Sequence, residues 1–278
     1  MMEIYYFSGT GNTLFVAREL QQRFPEAELV PLASVLNQDV IRSSAKTVGL
    51  VFPIQGMTAP VPVRILMRKA DFSSAEYVFA VATRGGTRCF ALDYIARRLK
   101  RKGQRLDAGF VLTMGGNDPK LESFQEITDD EIARLESAVL ARLDEVEQVI
   151  AARQSHVDDG DGINLSDNPL VNYLFERLIL LGVAYAERGG VRNYFEATDD
   201  CVGCGTCQEV CLSRRITMVD KRPVWQQDTQ CYMCYSCLNY CPAQAIQIRD
   251  KWYMKSFTRE KGRYSHPYAT ANEIAEQK

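Results

Sequence analysis

The sequence predicts a doubly wound parallel α/β domain followed by a small, internally duplicated α+β unit. Three observations lead there. Apolar runs alternate with helical patterns through the first half of the chain. The first such run ends in a Gly-rich turn that opens a helix. Eight of the nine cysteines then crowd between residues 201 and 241.

The apolar runs EIYYF (3–7), AELVP (27–31), TVGLVFP (47–53), YVFAVAT (77–83) and AGFVLTM (108–114) read as strands. Helical patterns lie between them at 14–24, 61–70 and about 87–102. Strands alternating with helices bury both faces of a sheet, which is why the strands are almost continuously apolar. Ligands of such sheets sit beyond the C-terminal strand ends, where the strand order reverses. The loops there are SGTGNT (8–13), PIQGMTAP (53–60), TRGGTR (83–88) and MGGNDP (114–119), all rich in Gly, Pro or polar groups.

The first loop matches neither common nucleotide motif. It lacks the third Gly of G-x-G-x-x-G and the Gly-Lys-Ser/Thr of a P-loop. Instead Ser8, Thr10 and Thr13 alternate with Gly9, Gly11 and Asn12 before a helix start. Hydroxyls, backbone amides and a helix dipole suit a phosphate that needs no lysine. The plainer reading is an N-cap turn with Thr13 as the cap.

Of the 278 residues, 46% are apolar and 24% charged, so a large core is within reach. The net charge of -2 offers no electrostatic footprint for nucleic acid or a membrane surface. No basic stretch followed by an apolar one opens the chain, and 169–187 carries Glu176 and Arg177 near its middle. A cytoplasmic protein without a membrane span is expected.

Residues 201–211 (CVGCGTCQEVC) and 231–241 (CYMCYSCLNYC) are both C-x2-C-x2-C-x3-C. In a reducing compartment such crowding points to metal rather than disulfides. The match runs on at a constant offset: Phe195 with Trp225, Ile216 with Ile246, Asp220 with Asp250. This is an internal repeat of ligand loop, short helix and strand. A four-iron cube needs four thiolates from tetrahedral directions, and in this run the fourth cysteine ligates the other cube. Two 4Fe-4S clusters are therefore expected, one on Cys201, Cys204, Cys207 and Cys241, the other on Cys231, Cys234, Cys237 and Cys211. Gly203 and Gly205 let amides approach sulfur, which tunes potential. Pro242 follows Cys241, whereas Leu212 follows Cys211. Zinc ribbons use two ligand pairs, often with His, and fit poorly.

Residues 127–154 read as a long amphipathic helix with the stripe Ile132, Leu135, Val139, Leu143, Val146 and Ile150. Thr128 with Glu131, and Thr270 with Glu273, read as capping boxes. SHVDDGDGINLSDNP reads as a solvated linker; its DDGDG lacks the spacing and closing Glu of a calcium loop. Cys89 reads as a small buried hydrophobe beside the third loop. His156 and His266 stand too far from other chemistry to form a catalytic pair.

FSGTGNT, VFPIQG, TRGG, the cysteine repeat and the tail GRYSHPYATANEIAEQ together resemble the flavodoxin–ferredoxin fusion proteins of anaerobic bacteria, over nearly the whole chain. The resemblance implies a flavodoxin-like domain (1–154), a linker and connecting helix (155–190), a two-cluster ferredoxin domain (191–250) and a C-terminal extension (251–278). It implies FMN. Ser8, Thr10, Gly11, Asn12 and Thr13 would hold the phosphate. Pro53, Ile54, Gln55 and Gly56, then Thr83, Arg84, Gly85 and Gly86, then Met114, Gly115, Gly116 and Asn117 would frame the ring. One departure stands out: flavodoxins usually stack the ring on Trp or Tyr, and none lies in 53–60 or 83–89, while Phe90 and Tyr94 fall on the next helix. The implied function is electron transfer between FMN, the clusters and a redox partner protein. The alternatives are a flavin-dependent reductase of a small substrate wired by the clusters, and a redox sensor.

Overall fold

The computed structural model describes residues 1–86, 89–158, 168–185, 193–251 and 255–278. Its first half alternates strands and helices: β1 (Met2–Tyr6), α1 (Asn12–Arg23), β2 (Ala27–Pro31), α2 (Leu32–Val35), β3 (Ile41–Arg42), β4 (Thr47–Pro53), α3 (Val61–Lys69), β5 (Ala70–Asp71), β6 (Tyr77–Arg84), α4 (Ala91–Lys100), β7 (Ala108–Thr113), α5 (Asp129–Ala151) and β8 (His156–Val157). The main sheet runs β2-β1-β4-β6-β7-β8. Every pairing in it is parallel. This is the doubly wound, flavodoxin-like order, with the reversal between β1 and β4.

The centre of the sheet is its most apolar part. Val48, Leu50, Val51 and Phe52 on β4, and Phe79, Ala80, Val81 and Ala82 on β6, are fully enclosed, as expected of strands covered on both faces. The long helix α5 lays Val139, Leu143, Val146 and Ile150 into this core, while Ile132 and Leu135 are half-buried. Thr128 caps it by accepting from the Glu131 amide at 3.3 Å.

The sheet takes one strand more than the apolar runs announce. His156 and Val157, read from sequence as linker, pair with Ala108 and Gly109. Two residues carry no legible period. The edge is closed by Asp158, whose carboxylate accepts from the Val111 amide (2.9 Å) and from Arg142 (2.8 Å). The rest of the DDGDG segment lies outside the described residues. Beyond it stands α6 (Pro169–Tyr185).

The second half holds β9 (Phe195–Ala197), α7 (Thr206–Glu209), β10 (Ile216–Val219), β11 (Arg222–Trp225), α8 (Ser236–Asn239) and β12 (Ile246–Ile248), before a final α9 (Ala271–Ala275). The two strand pairs are antiparallel and cross the repeat. β9, at the start of the first copy, pairs with β12 at the end of the second; β10 pairs with β11. Each copy is thus completed by the other. Leu212 and Pro242 introduce turns of the same form: the Arg214 amide donates to the Cys211 carbonyl and the Gln244 amide to the Cys241 carbonyl, both at 2.9 Å.

Candidate electron-transfer site

The loop after β1 is almost wholly buried. Gly9 and Gly11 explain why it must be glycine-rich. A Cβ on Gly9 would overlap the carbonyl oxygen of Cys234, and one on Gly11 would overlap Ala269 and His266. One side of the loop therefore lies against the second cysteine run and the other against the C-terminal tail. Ser236 donates to the Gly9 carbonyl (2.7 Å), and the His266 amide to the Thr10 carbonyl (2.7 Å). Tyr264 donates to Asn12 (2.7 Å). The Gln277 side chain accepts from the Ser8 amide (3.0 Å) and donates to the Ser8 carbonyl (2.9 Å), as a neighbouring strand would.

The loop's own side chains hold its neighbours. Ser8 Oγ accepts from the Gly11 amide. Thr10 Oγ1 accepts from Asn117 (2.8 Å), and Asn12 donates to the Gly115 carbonyl (2.8 Å). Thr13 and Thr83 share a hydroxyl–hydroxyl bond of 2.8 Å. The sequence assigned these groups to a phosphate; the fold first uses them to tie the strand-end loops together. A hydroxyl that accepts still has its proton to give, and a helix start leaves its first amides without an intrahelical partner.

Between these loops lies a cavity of about 590 Å³. Of the residues expected at a flavin, Ser8, Thr10, Asn12, Thr13, Pro53, Ile54, Gln55, Gly56, Thr83, Arg84, Gly85, Gly115, Gly116 and Asn117 line it. Gly11, Gly86 and Met114 do not. Gly11 is pressed against the tail, Gly86 stands in a turn with open space around its Cα, and Met114 is buried in the core. Cys89 is likewise buried, and that burial pushes its thiol up. Phe90 is buried and donates its amide to the Met57 carbonyl, away from this wall.

Sequence reasoning missed the other walls. One is the aperiodic stretch after Asn117, which brings Lys120, Leu121, Phe124 and Ile127 to the cavity. The other comes from the second half: Tyr194, Met233, Cys234 and Tyr235. Lys120 donates to the Tyr235 hydroxyl (2.9 Å), which shares a bond with the Tyr194 hydroxyl (3.0 Å). Burial alone would lower the Lys120 pKa, but Asp118 at 3.1 Å and Tyr194 outweigh it and hold it above its usual value. Burial drives both tyrosines far up, so they stay phenols.

The donor set of the cavity fits a ring with polar edges. Gln55 Oε1 and Asp118 Oδ1 are buried acceptors without a hydrogen-bond partner, and both residues line the cavity. Such orphans are destabilising unless a ligand satisfies them.

The eight repeat cysteines are all free thiols. Cys201, Cys204, Cys207 and Cys241 line one small cavity. Burial, then Cys241, Cys201 and Cys204, push Cys207 up to about 12. Burial and the neighbours Cys234 and Cys211 likewise push Cys231 up to about 12, and Cys237 rises for burial and Cys211 foremost. The fourth cysteine of each run therefore stands with the first three of the other. Sulfurs on a single zinc at ~2.3 Å would lie within about 4 Å of one another. Among the described residues no group of three or more His, Cys, Asp or Glu stands as a site for a single metal ion. Sulfur acceptors are also provided for: the Arg215 amide donates to Cys211 Sγ (3.3 Å) and the Met233 amide to Cys231 Sγ (3.4 Å).

Residues 200–246 match the family model of the 4Fe-4S dicluster domain. This part of the chain carries a redox role. No curated protein matches the chain. Solved structures similar to it include an FMN-dependent NADH-azoreductase from Bacillus anthracis, determined with FMN (8% identity, 54% of this chain and 100% of that one, TM-score 0.39). A flavodoxin from an archaeon aligns at 14% identity over 53% of this chain and 99% of its own, TM-score 0.34. The two-electron reduced flavodoxin of Megasphaera elsdenii aligns at 19% identity over 51% and 99%, TM-score 0.30. At such scores these likenesses decide nothing. Among the described residues no helix is long and apolar enough to cross a membrane.

Proposed function

We propose that this protein relays electrons between an FMN held at the ends of β1, β4, β6 and β7 and two 4Fe-4S clusters, and through them to a redox partner protein. The observation that carries the reading is the shared wall: Met233, Cys234 and Tyr235 belong at once to a cluster-ligand loop and to the lining of the large cavity. FMN supplies exchange of one or two electrons, while each cluster takes one. Cys201, Cys204, Cys207 and Cys241 would hold one cluster, and Cys231, Cys234, Cys237 and Cys211 the other. The start of α1 with Thr10 and Thr13 would take the phosphate, and Gln55 would take a donor of the ring edge. Met233 and Tyr235 would exclude water between cavity and cluster.

An absorption spectrum of anaerobically purified protein, with iron, sulfide and flavin counted, tests this. About eight iron, eight sulfide and one FMN per chain are expected; stoichiometric zinc with little iron would end the reading.

A second reading is supported by the wall of Leu121, Phe124 and Ile127, which extends the cavity past the flavin loops. It is a reductase of a small apolar substrate, with the clusters as wiring. Steady turnover of a quinone or nitroaromatic without any partner protein would favour it over the carrier.

A further inference from the structure

The two cysteine runs share a positive φ at two matching positions and fill them with different residues. Residues 203 and 205 are glycines with φ of 71° and 85°. Their counterparts 233 and 235 are Met and Tyr, held at φ 52° and 59°. A side chain at such φ is strained, and only glycine sits there freely. The first run shows that the ligand loop folds with glycine at both places. The second run keeps two large side chains where the backbone favours none.

Both of those residues line the large cavity. Tyr235 is pinned through its hydroxyl by Lys120 and Tyr194, and is 8% exposed. The Met233 carbonyl accepts from Gln55 at 3.0 Å, which fixes the turn against the loop after β4. That loop (53–56) and the one at 83–86 bring no Trp, Tyr or Phe to the cavity. By contrast, the small cavity of Cys201, Cys204 and Cys207 shares no lining residue with the large one. Its rim is open to solvent: Val202 is 70% exposed and Cys204 is exposed.

We propose that Met233 and Tyr235 form the platform for the ring of the bound flavin, lent to the cavity by the ligand loop of the second cluster. The cluster on Cys231, Cys234, Cys237 and Cys211 is then the one in contact with the flavin, and the cluster behind Val202 is the outlet to the partner. The inference rests on the flavin reading above.

The test is FMN affinity by fluorescence-quench titration, in protein whose iron content is measured in parallel. Tyr235→Leu removes the ring and is expected to weaken FMN by roughly tenfold, the upper range for an aromatic pair, with iron unchanged. Tyr235→Phe keeps the ring and should stay within about twofold of the parent. Met233→Gly with Tyr235→Gly copies the first run and should weaken FMN further. Val202→Ser, in the outer run, should leave affinity alone. Parent-like FMN binding by Tyr235→Leu with full iron overturns the proposal, and so does an equal loss in Val202→Ser. Failure of the parent itself to bind FMN would instead remove the flavin reading and leave the clusters in place.

Discussion

The first and second cysteine runs share ligand spacing, turn form and short helix, yet one faces solvent and the other faces the body of the protein. Cys204 is exposed, and the Thr206 hydroxyl and amide lower its pKa. Cys234, its counterpart at the second ligand position of the second run, is half-buried, and burial first raises its thiol. The backbone of such a loop is a local matter of spacing. Its environment is set by what is packed on it, and environment is what tunes a cluster's potential. A duplicated unit thereby gains two unlike cysteine sites without a change in ligand spacing.

The largest effect expected from breaking this asymmetry is at the fourth ligands. Cys211→Ser should empty the second run's cluster, lowering iron from about eight to about four per chain. Stability should fall by several kcal/mol, because metal binding there is folding free energy. Cys241→Ser should empty the first run's cluster and leave the cavity intact. Iron analysis with low-temperature EPR separates the two. If Cys211→Ser spared the buried cluster and removed the exposed one, the crossed pairing would be wrong.

Acid should loosen the inner side alone. His266 is enclosed, stacks on Phe15 with ring centroids 4.8 Å apart, and burial lowers its pKa to about 4. Unfolded, the same ring takes up a proton below about 6.5. Its contribution is therefore whole above pH ~6.5 and is lost as pH falls toward ~4, by at most about 3 kcal/mol. Glu136, 3.2 Å away with its pKa raised by burial, would offset part of that by pairing with the charged ring. Tm measured from pH 7 to pH 4.5 should drop in the parent and less in His266→Gln; parallel curves would show that this ring does not govern the tail.

Two glycines sharpen the comparison further. Gly9→Ala drives a methyl into the Cys234 carbonyl and should cost about 1–3 kcal/mol of stability as overpacking. Gly205→Ala has nothing within 4 Å of the added carbon, and only its φ of 85° opposes it. That change should cost about 1 kcal/mol. Chemical denaturation of the two variants, with the loss for Gly9 expected to be the greater, checks whether the inner run is packed and the outer run free.

Much of this was legible in order of residues. The main strands fall within a residue or two of the apolar runs, because strands buried on both faces leave little choice of composition. Thr270 and Glu273 form the reciprocal capping box that their spacing announces, the Thr270 amide donating to Glu273 at 2.8 Å. Thr128 and Glu131 form only half of one, and Glu131 lines the cavity instead. Lys120 and Tyr194 gave no signal, since each reaches the cavity from a segment without period or motif; Tyr235 sits inside the second cysteine run, whose spacing speaks only for its ligands. The tail, placed as an extension beyond the cluster domain, proves to be part of the first loop. With Ala269 and His266 against Gly11, an acidic residue at position 11 would dislodge the tail as well as repel a phosphate.

The sequence by itself determined the ligand chemistry, the duplication, the parallel sheet and the loops at its strand ends. Each is written in spacings of a few residues, where covalent geometry and hydrophobic period leave few options. Only the tertiary structure decided which cysteine run faces the cavity and what covers the first loop. Those outcomes depend on contacts such as Gln277 with Ser8 and Ser236 with Gly9. Their partners lie hundreds of residues apart, so no local pattern records them, and they form only once the two halves are packed together.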